Sequence, residues 1–565
     1  MQKRISENGG EDRTSSAVKG IPIRAGGSNR ADRMKMKDSI QLQEYKRQAG
    51  RWIVNFCLLM TAFGGFLRDG FGADAAGQHV MARININRWP YNGRFLAYAL
   101  NDLLDRFGIN AVFHYRIFYL IFMVNCAFSL CILQAVLDRI FLFEVKEKAE
   151  PSGAYAVRKM QQQKAQVESL WSRDRIMRRF LLYALSGLFY INGLFTENFM
   201  FPECFLSFSL AYLLTSLAAY LIAVREKKIA GVLLLLAASL LYQAPVVAVP
   251  LFLISYWMMQ NGGEITRKIL FRGGAWTFIC LLLAGGTTKI GGMLAVRDGQ
   301  LVKGVNPTGL GQVISSTARN LMAFGTSGFH LMPPLFLPLL SWGIPLCLLL
   351  YGCYKKKIGL RQCCSVLFAE VFFILLAMSL SIAVYQPNHY AEVTPRLMYG
   401  MYAAQMLFLM MTYLLTGSRG KHLLFCLSAF YLCIQIVSCN TIMMNHYISN
   451  EEDLQVAREA YAQIQYYEQT TGREIKHIAW CTDTNCENRY PNVYYQYGQI
   501  NERVLSQTAY CMLVMATDNQ RFTDEALVPM KAEIYDQYFK GKNWDVFLPQ
   551  EQMIFQGDTL YWCIY

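Results

Sequence analysis

The sequence predicts an α-helical polytopic membrane protein with about eleven transmembrane helices, followed by a small α/β or α+β domain on the extracytoplasmic side. Three observations predict it. Of 565 residues, 54% are hydrophobic and only 17% charged, a charged share below that of ordinary soluble domains, so much of the apolar surface must face lipid. The apolar residues gather in runs of roughly spanning length, and the basic residues gather in short segments between them. The net charge of +14 therefore reads as a topology signal. A nucleic-acid partner is excluded, because that reading needs a folded basic surface and none is present.

The runs lie near 51–67, 116–138, 179–196, 201–224, 229–243, 245–259, 271–288, 332–353, 363–384, 397–416 and 422–443. Residues 229–259 are too long for one ordinary span, and Tyr242-Gln243-Ala244-Pro245 supplies a break between two shorter helices. With that break, the basic segments 158–179, 225–228, 267–268, 355–357 and 419–421 all fall on the side of the N-terminus, which the excess of Lys and Arg marks as the inside. Residues 1–50 are polar and basic without periodicity and are expected to be a disordered cytoplasmic tail. That is longer than a signal-peptide n-region, so the first span is expected to be retained. Residues 51–444 form the multi-span domain and 445–565 a soluble domain with a helix at 453–469 and strands at 474–481, 510–516 and 559–565. No internal repeat is visible.

Most of the sixteen Cys sit in apolar runs, where a thiol serves as a small hydrophobe. Cys481 and Cys486 lie in the tail, where an outer location permits a disulfide. His477 with these two would make only part of a metal set. No cofactor is expected, and the need for a divalent ion stays open.

The expected topology places 68–115, the turn at 196–198, 289–331, 385–396 and the C-terminal domain outside. Asp69 and Asp74 stand just past the first span, where a carboxylate can take a proton from an attacking hydroxyl. Arg94 and Arg396, on the same face, suit a phosphate. Glu197 and Glu203 flank Asn198-Phe199-Met200-Phe201-Pro202 between two spans, and acids so near hydrocarbon need a partner or a task. Residues 92–107, beginning at Asn92, have the pattern of an interfacial helix. Trp89 before it is a membrane anchor more readily than a sugar platform. Gln243 at the helix break more readily ties off backbone groups than meets substrate, and His389 is a further candidate base.

The order of these pieces resembles the polytopic bacterial glucosyltransferases of the O-antigen serotype-conversion type. They are the acidic loop after the first span, Trp89 with Asn92-Gly93-Arg94, Thr196-Glu197-Asn198, Leu241-Tyr242-Gln243-Ala244, Thr394-Pro395-Arg396-Leu397, and 453–465 opening the tail. The resemblance implies a GT-C-like membrane glycosyltransferase in the bacterial cytoplasmic membrane. Such an enzyme moves a hexose, glucose in these relatives, from a polyprenyl-phosphate sugar to a cell-surface glycan on the outer face, with a loop Asp as base. It also implies a donor-lipid synthase and a flippase as functional partners. The chain departs from the family where two adjacent Asp are expected, since Asp69 and Asp74 stand apart; Asp74, nearer Trp89 and Arg94, is favoured. Glu203 stands where relatives carry an Asp.

The rival classes are a flippase or exporter and a polymerase or ligase of lipid-linked polysaccharide. A transporter is expected to show repeat symmetry and charges along an intramembrane path, whereas here the charges are expected to collect in outer loops.

Overall fold

The computed structural model describes residues 30–68, 70–80, 89–147, 176–299, 310–384, 394–484, 486–487, 489–517 and 521–565. Among these, seven helical stretches are long and apolar enough to cross a membrane: Lys46–Leu67, Tyr115–Phe141, Pro202–Ala223, Arg267–Arg297, Leu337–Tyr354, Leu360–Ser379 and Ser418–Thr471. A bent pair, Ile176–Tyr190 with Gly193–Met200 at 49°, makes an eighth if counted as one span. Three apolar helices, Lys228–Leu241, Ala244–Gln260 and Gly400–Leu415, are shorter. Every apolar run of the sequence is thus helical, but three fall below the length of a full crossing.

In chain order the helices are α1 (Arg30–Phe63), α2 (Ala73–Val80), α3 (Phe95–Arg106), α4 (Tyr115–Glu147), α5 (Ile176–Tyr190), α6 (Phe205–Ala223), α7 (Lys228–Leu241), α8 (Ala244–Gln260), α9 (Arg267–Arg297), α10 (Leu310–Ser327), α11 (Leu337–Tyr354), α12 (Leu360–Val384), α13 (Gly400–Leu415), α14 (Ser418–Thr471) and α15 (Ala509–Thr517). α1 starts at Arg30, ahead of the apolar run, so part of the stretch expected to be disordered is helical. Residues 30–49 contain neither Pro nor Gly and are rich in Lys, Gln, Met and Arg, which accounts for it.

The break between α7 and α8 falls where the sequence placed it. Tyr242 is extended, with φ −161° and ψ 124°, and a proline occupies the first turn of α8. The bend after α5 has its own cap, because Asn192 is extended and its side chain accepts from the Phe195 N–H at 3.0 Å. Polar pairs tie helices whose apolar faces alone would not select one packing. Asn55 of α1 and Gln134 of α4 exchange hydrogen bonds of 3.1 and 2.8 Å, and Gln134 also donates to Ser186 of α5 at 2.8 Å. Gln435 of α14 donates to Tyr402 of α13 at 2.9 Å, and Tyr431 donates to Gln405 at 3.0 Å. Glu370 departs from the expectation that charges keep to loops. It is buried within α12 and accepts from the Trp342 indole of α11 at 2.7 Å.

The boundary expected at 445 lies inside α14, a 54-residue helix of about 80 Å at 1.5 Å per residue. Residues Arg51–Tyr565 form one compact unit. The tail has a three-stranded sheet of β1 (His477–Thr482), β2 (Met553–Gln556) and β3 (Thr559–Ile564), ordered β1-β3-β2, with β1 parallel and β2 antiparallel to β3. The strand expected at 510–516 is instead α15. Its Cys511, Met512, Leu513 and Val514 are all buried, and a short apolar run without alternation does not distinguish a buried strand from a buried helix. No disulfide links Cys481 to Cys486, and both thiols are free. Cys481 lies opposite Cys563 in the β1–β3 pairing, and Cys486 donates to the Tyr565 carbonyl at 3.2 Å.

α2 belongs to this tail by packing. Its Ala76 and Val80 join the core formed by Ile478, Leu513, Leu560 and Trp562. The loop after the first span is therefore held by a domain that begins nearly four hundred residues later.

Candidate functional site

The end of α1, the start of α6, the α7–α8 break and the start of α13 lie together, as alternation of antiparallel helices requires. At their centre is an ion pair. Glu197, in the 3-10 turn Gly193–Met200, is 1% exposed and lies 3.0 Å from an Arg396 guanidinium nitrogen. The Arg396 backbone N–H donates to its other oxygen at 2.7 Å. Arg396 lies over the Phe201 ring at 4.3 Å, and Tyr242 donates to its carbonyl at 3.4 Å. A pair this buried holds its geometry only with such extra bonds.

Arg94 stands beside it with less to occupy its charge. Its guanidinium lies over the rings of Tyr242 at 5.2 Å and Phe208 at 5.8 Å. Its buried Nε has no hydrogen-bond partner among the described residues. The segment that carries it is fixed by close backbone approach: Gly93, with φ +75°, passes α9 so tightly that a Cβ there would lie 2.3 Å from the Thr287 carbonyl oxygen. Gln243 donates to the Asn92 carbonyl at 2.8 Å, the backbone-tying role expected of it.

Two carboxylates complete the group. Glu203 is 2% exposed, and one of its oxygens has no partner among the described residues. The charges of Asp74, Arg396 and Arg94 all act on it, and Asp74 acts on Arg396 in turn. Asp74 is exposed in the first turn of α2, where the helix dipole favours an anion. It lines a narrow cleft with Met200, Phe201 and His446 below and Gln499, Glu502 and Gln507 of the tail above.

One face of α14 builds this cleft. His446, Asn450 and Asp453 are all buried and follow at spacings that place them on one side of a helix. Asn450 grips the loop that leads to Asp74, accepting from the Phe71 N–H and donating to the Phe71 carbonyl, both at 3.1 Å. Asp453 holds the tail, accepting from the Tyr490 hydroxyl at 2.7 Å and the Val504 N–H at 2.8 Å. Burial pushes the Tyr490 phenol well above its ordinary pKa, so it remains a donor. Arg503 is sandwiched between the rings of Tyr490 and Tyr565 at 4.3 and 4.6 Å and donates to the Tyr565 carbonyl.

The tail also reaches into the helix bundle. Ile500 is fully buried in the main core, and Tyr497 stacks on Phe329 at 4.9 Å. Between them the chain turns at Gly498, with φ +56°, and the Gln499 backbone adds a hydrogen bond to Glu197. A Cβ on Gly498 would meet Pro395 at 2.9 Å and Glu197 at 3.6 Å. Gly498→Ala is expected to cost about 1–2 kcal/mol from the left-handed backbone alone, read as a lower unfolding temperature of the detergent-purified chain. An unchanged temperature would show that the turn is not seated in the bundle.

Of the residues singled out from sequence, the structure brings together Asp74, Arg94, Glu197, Glu203 and Arg396, with Asn92 and Gln243 as supports. Trp89 is 7% exposed, and its ring packs within the main core. Asp69 and His389 lie outside the described residues. His446, Asn450, Asp453 and the 497–500 turn were missed. The polar stripe at 446, 450 and 453 was the available signal. Among the described residues no group of three or more His, Cys, Asp or Glu is placed to hold a metal ion. Nothing matches the chain in comparisons with protein-family models, curated proteins and solved structures.

Proposed function

We propose that this chain is a GT-C-like membrane glucosyltransferase, with about eleven crossings when its short apolar helices are counted. It would move a hexose from a polyprenyl-phosphate sugar to a cell-surface glycan at the outer face of the bacterial cytoplasmic membrane. The observation that carries this reading is the convergence of two guanidinium groups and two unsatisfied or exposed carboxylates where apolar helices meet a polar domain. A lipid-linked phosphosugar has that same division, with an apolar tail, an anionic phosphate and a hydroxylated ring.

In this reading Arg94 takes the phosphate, its guanidinium lying over two ring faces and its buried Nε having no hydrogen-bond partner among the described residues. Arg396, fixed by Glu197, adds a second positive charge. Asp74 removes the proton from the acceptor hydroxyl as its oxygen attacks the sugar's anomeric carbon. The bond from that carbon to the phosphate oxygen breaks, and its electron pair leaves on the polyprenyl phosphate, which the guanidinium charges stabilise. The proton then passes from Asp74 to solvent. Export is supported less well, because the charged groups that converge do so at one end of the helices, and Glu370, which accepts from Trp342 through one oxygen, stands apart from them within α12.

The test is analysis of the surface glycan from cells with and without this chain. Loss of one side-branch hexose, with backbone length unchanged, is expected. Altered chain length, or glycan retained inside the cell, would replace the transferase reading with a polymerase or an exporter.

A further inference from the structure

His446 is 3% exposed, and neither of its ring nitrogens has a hydrogen-bond partner among the described residues. A buried imidazole in that state forfeits the bonds it made in water and is uncommon unless something else supplies them. Its neighbours leave it little choice of direction. The Phe66 ring lies 6.1 Å away, and the loop at Gly70 passes so close that a Cβ there would stand 3.1 Å from the imidazole. His446 shares its cleft with Asp74.

The polar lining of that cleft differs from the ion-pair side of the site. It carries the carboxylates of Asp74 and Glu502, the amides of Gln499 and Gln507, and the imidazole. Its guanidinium, Arg503, stacks on two tyrosine rings and donates through one nitrogen to the Tyr565 carbonyl, and its Nε and other terminal nitrogen, without a partner among the described residues, add N–H donors to that lining. Acids, amides and imidazole together donate to and accept from hydroxyl groups, whereas two carboxylates repel an anion. Arg94 and Arg396, which suit a phosphate, do not line it. Asp74 is thus shared between a cationic compartment and a hydroxyl-binding one.

We infer that this cleft is the inner end of the acceptor subsite, that it takes one hydroxyl of an uncharged sugar residue of the surface glycan whose ring rests at its mouth, and that His446 holds that hydroxyl for Asp74. The inference rests on the transferase reading and names its acceptor side. It makes the C-terminal domain, through Gln499, Glu502 and Gln507, the element that selects the acceptor. His446 contributes a hydrogen bond to the hydroxyl, and the proton goes to Asp74.

The test uses the full chain in lipid nanodiscs, glycan purified from cells lacking this chain as acceptor, and polyprenyl-phosphate glucose as donor. Glycan affinity is measured without donor by saturation-transfer NMR, and KM is measured for each substrate. His446→Gln and Gln507→Ala are each expected to weaken glycan binding and raise glycan KM by about tenfold, as for one lost hydrogen bond, with donor KM unchanged. Gln507 is only half buried, so its variant carries the test if His446→Gln fails to insert. Wild-type glycan affinity in either folded variant, or a rise confined to donor KM, overturns the subsite. If the unaltered chain binds glycan but transfers no hexose, the transferase reading fails while the subsite stands.

Discussion

Asp74→Asn is expected to lower hexose transfer by about a hundred- to ten-thousandfold, the usual contribution of a positioned general base. Asn has the same shape, and Asp74 is an exposed residue whose helix is anchored by Ala76 and Val80 rather than by the carboxylate. Membrane insertion and unfolding temperature should therefore stay at their wild-type values. The measurement is transfer to glycan by membranes containing equal amounts of each chain. Full activity of D74N together with loss of activity on Asp69→Asn would move the role of base to Asp69.

The second large effect is on stability. Arg396→Met leaves Glu197 buried at 1% exposure without its cation, and stranding one member of a buried pair costs about 3–5 kcal/mol. The R396M chain should unfold at a markedly lower temperature in detergent. Adding Glu197→Gln should recover part of that loss, because a neutral amide tolerates burial better than a lone carboxylate. Equal stability of wild type and R396M would mean that the pair does not hold the site together. A double variant no better than R396M would locate the loss in the stacking of Arg396 on Phe201.

The residues that sequence reasoning found share one property: each is a charge or amide set beside a long apolar run, where the cost of burial makes it conspicuous. Glu197, Glu203 and Arg396 stand out in that way, and Gln243 beside Pro245 does too. The residues it missed lack that contrast. His446, Asn450 and Asp453 follow the last apolar run in a stretch that reads as the polar start of a soluble domain. Only the unbroken continuation of α14 shows that the three side chains face inward. The 497–500 turn is illegible for another reason. Nothing local in Tyr497-Gly498-Gln499-Ile500 announces that it will sit against Pro395 and Glu197, since that contact is set by tertiary packing alone. Trp89 stands at the expected place before the interfacial helix with its ring packed into the main core, a contact that the sequence around it does not announce. In the tail, the runs expected to be strands at 474–481 and 559–565 hold the strands His477–Thr482 and Thr559–Ile564, while 510–516 has too short an apolar run to reveal its period.

The length of α14 sets a rule for any attempt to re-engineer the chain. Since bundle and tail share one rod with no intervening loop, the compass bearing of the Gly498 turn is counted in residues, each worth about 100° of heading and 1.5 Å of reach. Removing a single residue near 450 would swing that turn to the wrong side of the molecule. Removing seven would bring the bearing nearly home but leave it about 10 Å short. A tail borrowed from another protein must therefore arrive in phase as well as in kind, or its counterpart of the Gly498 turn will miss its seat against Pro395 and Glu197.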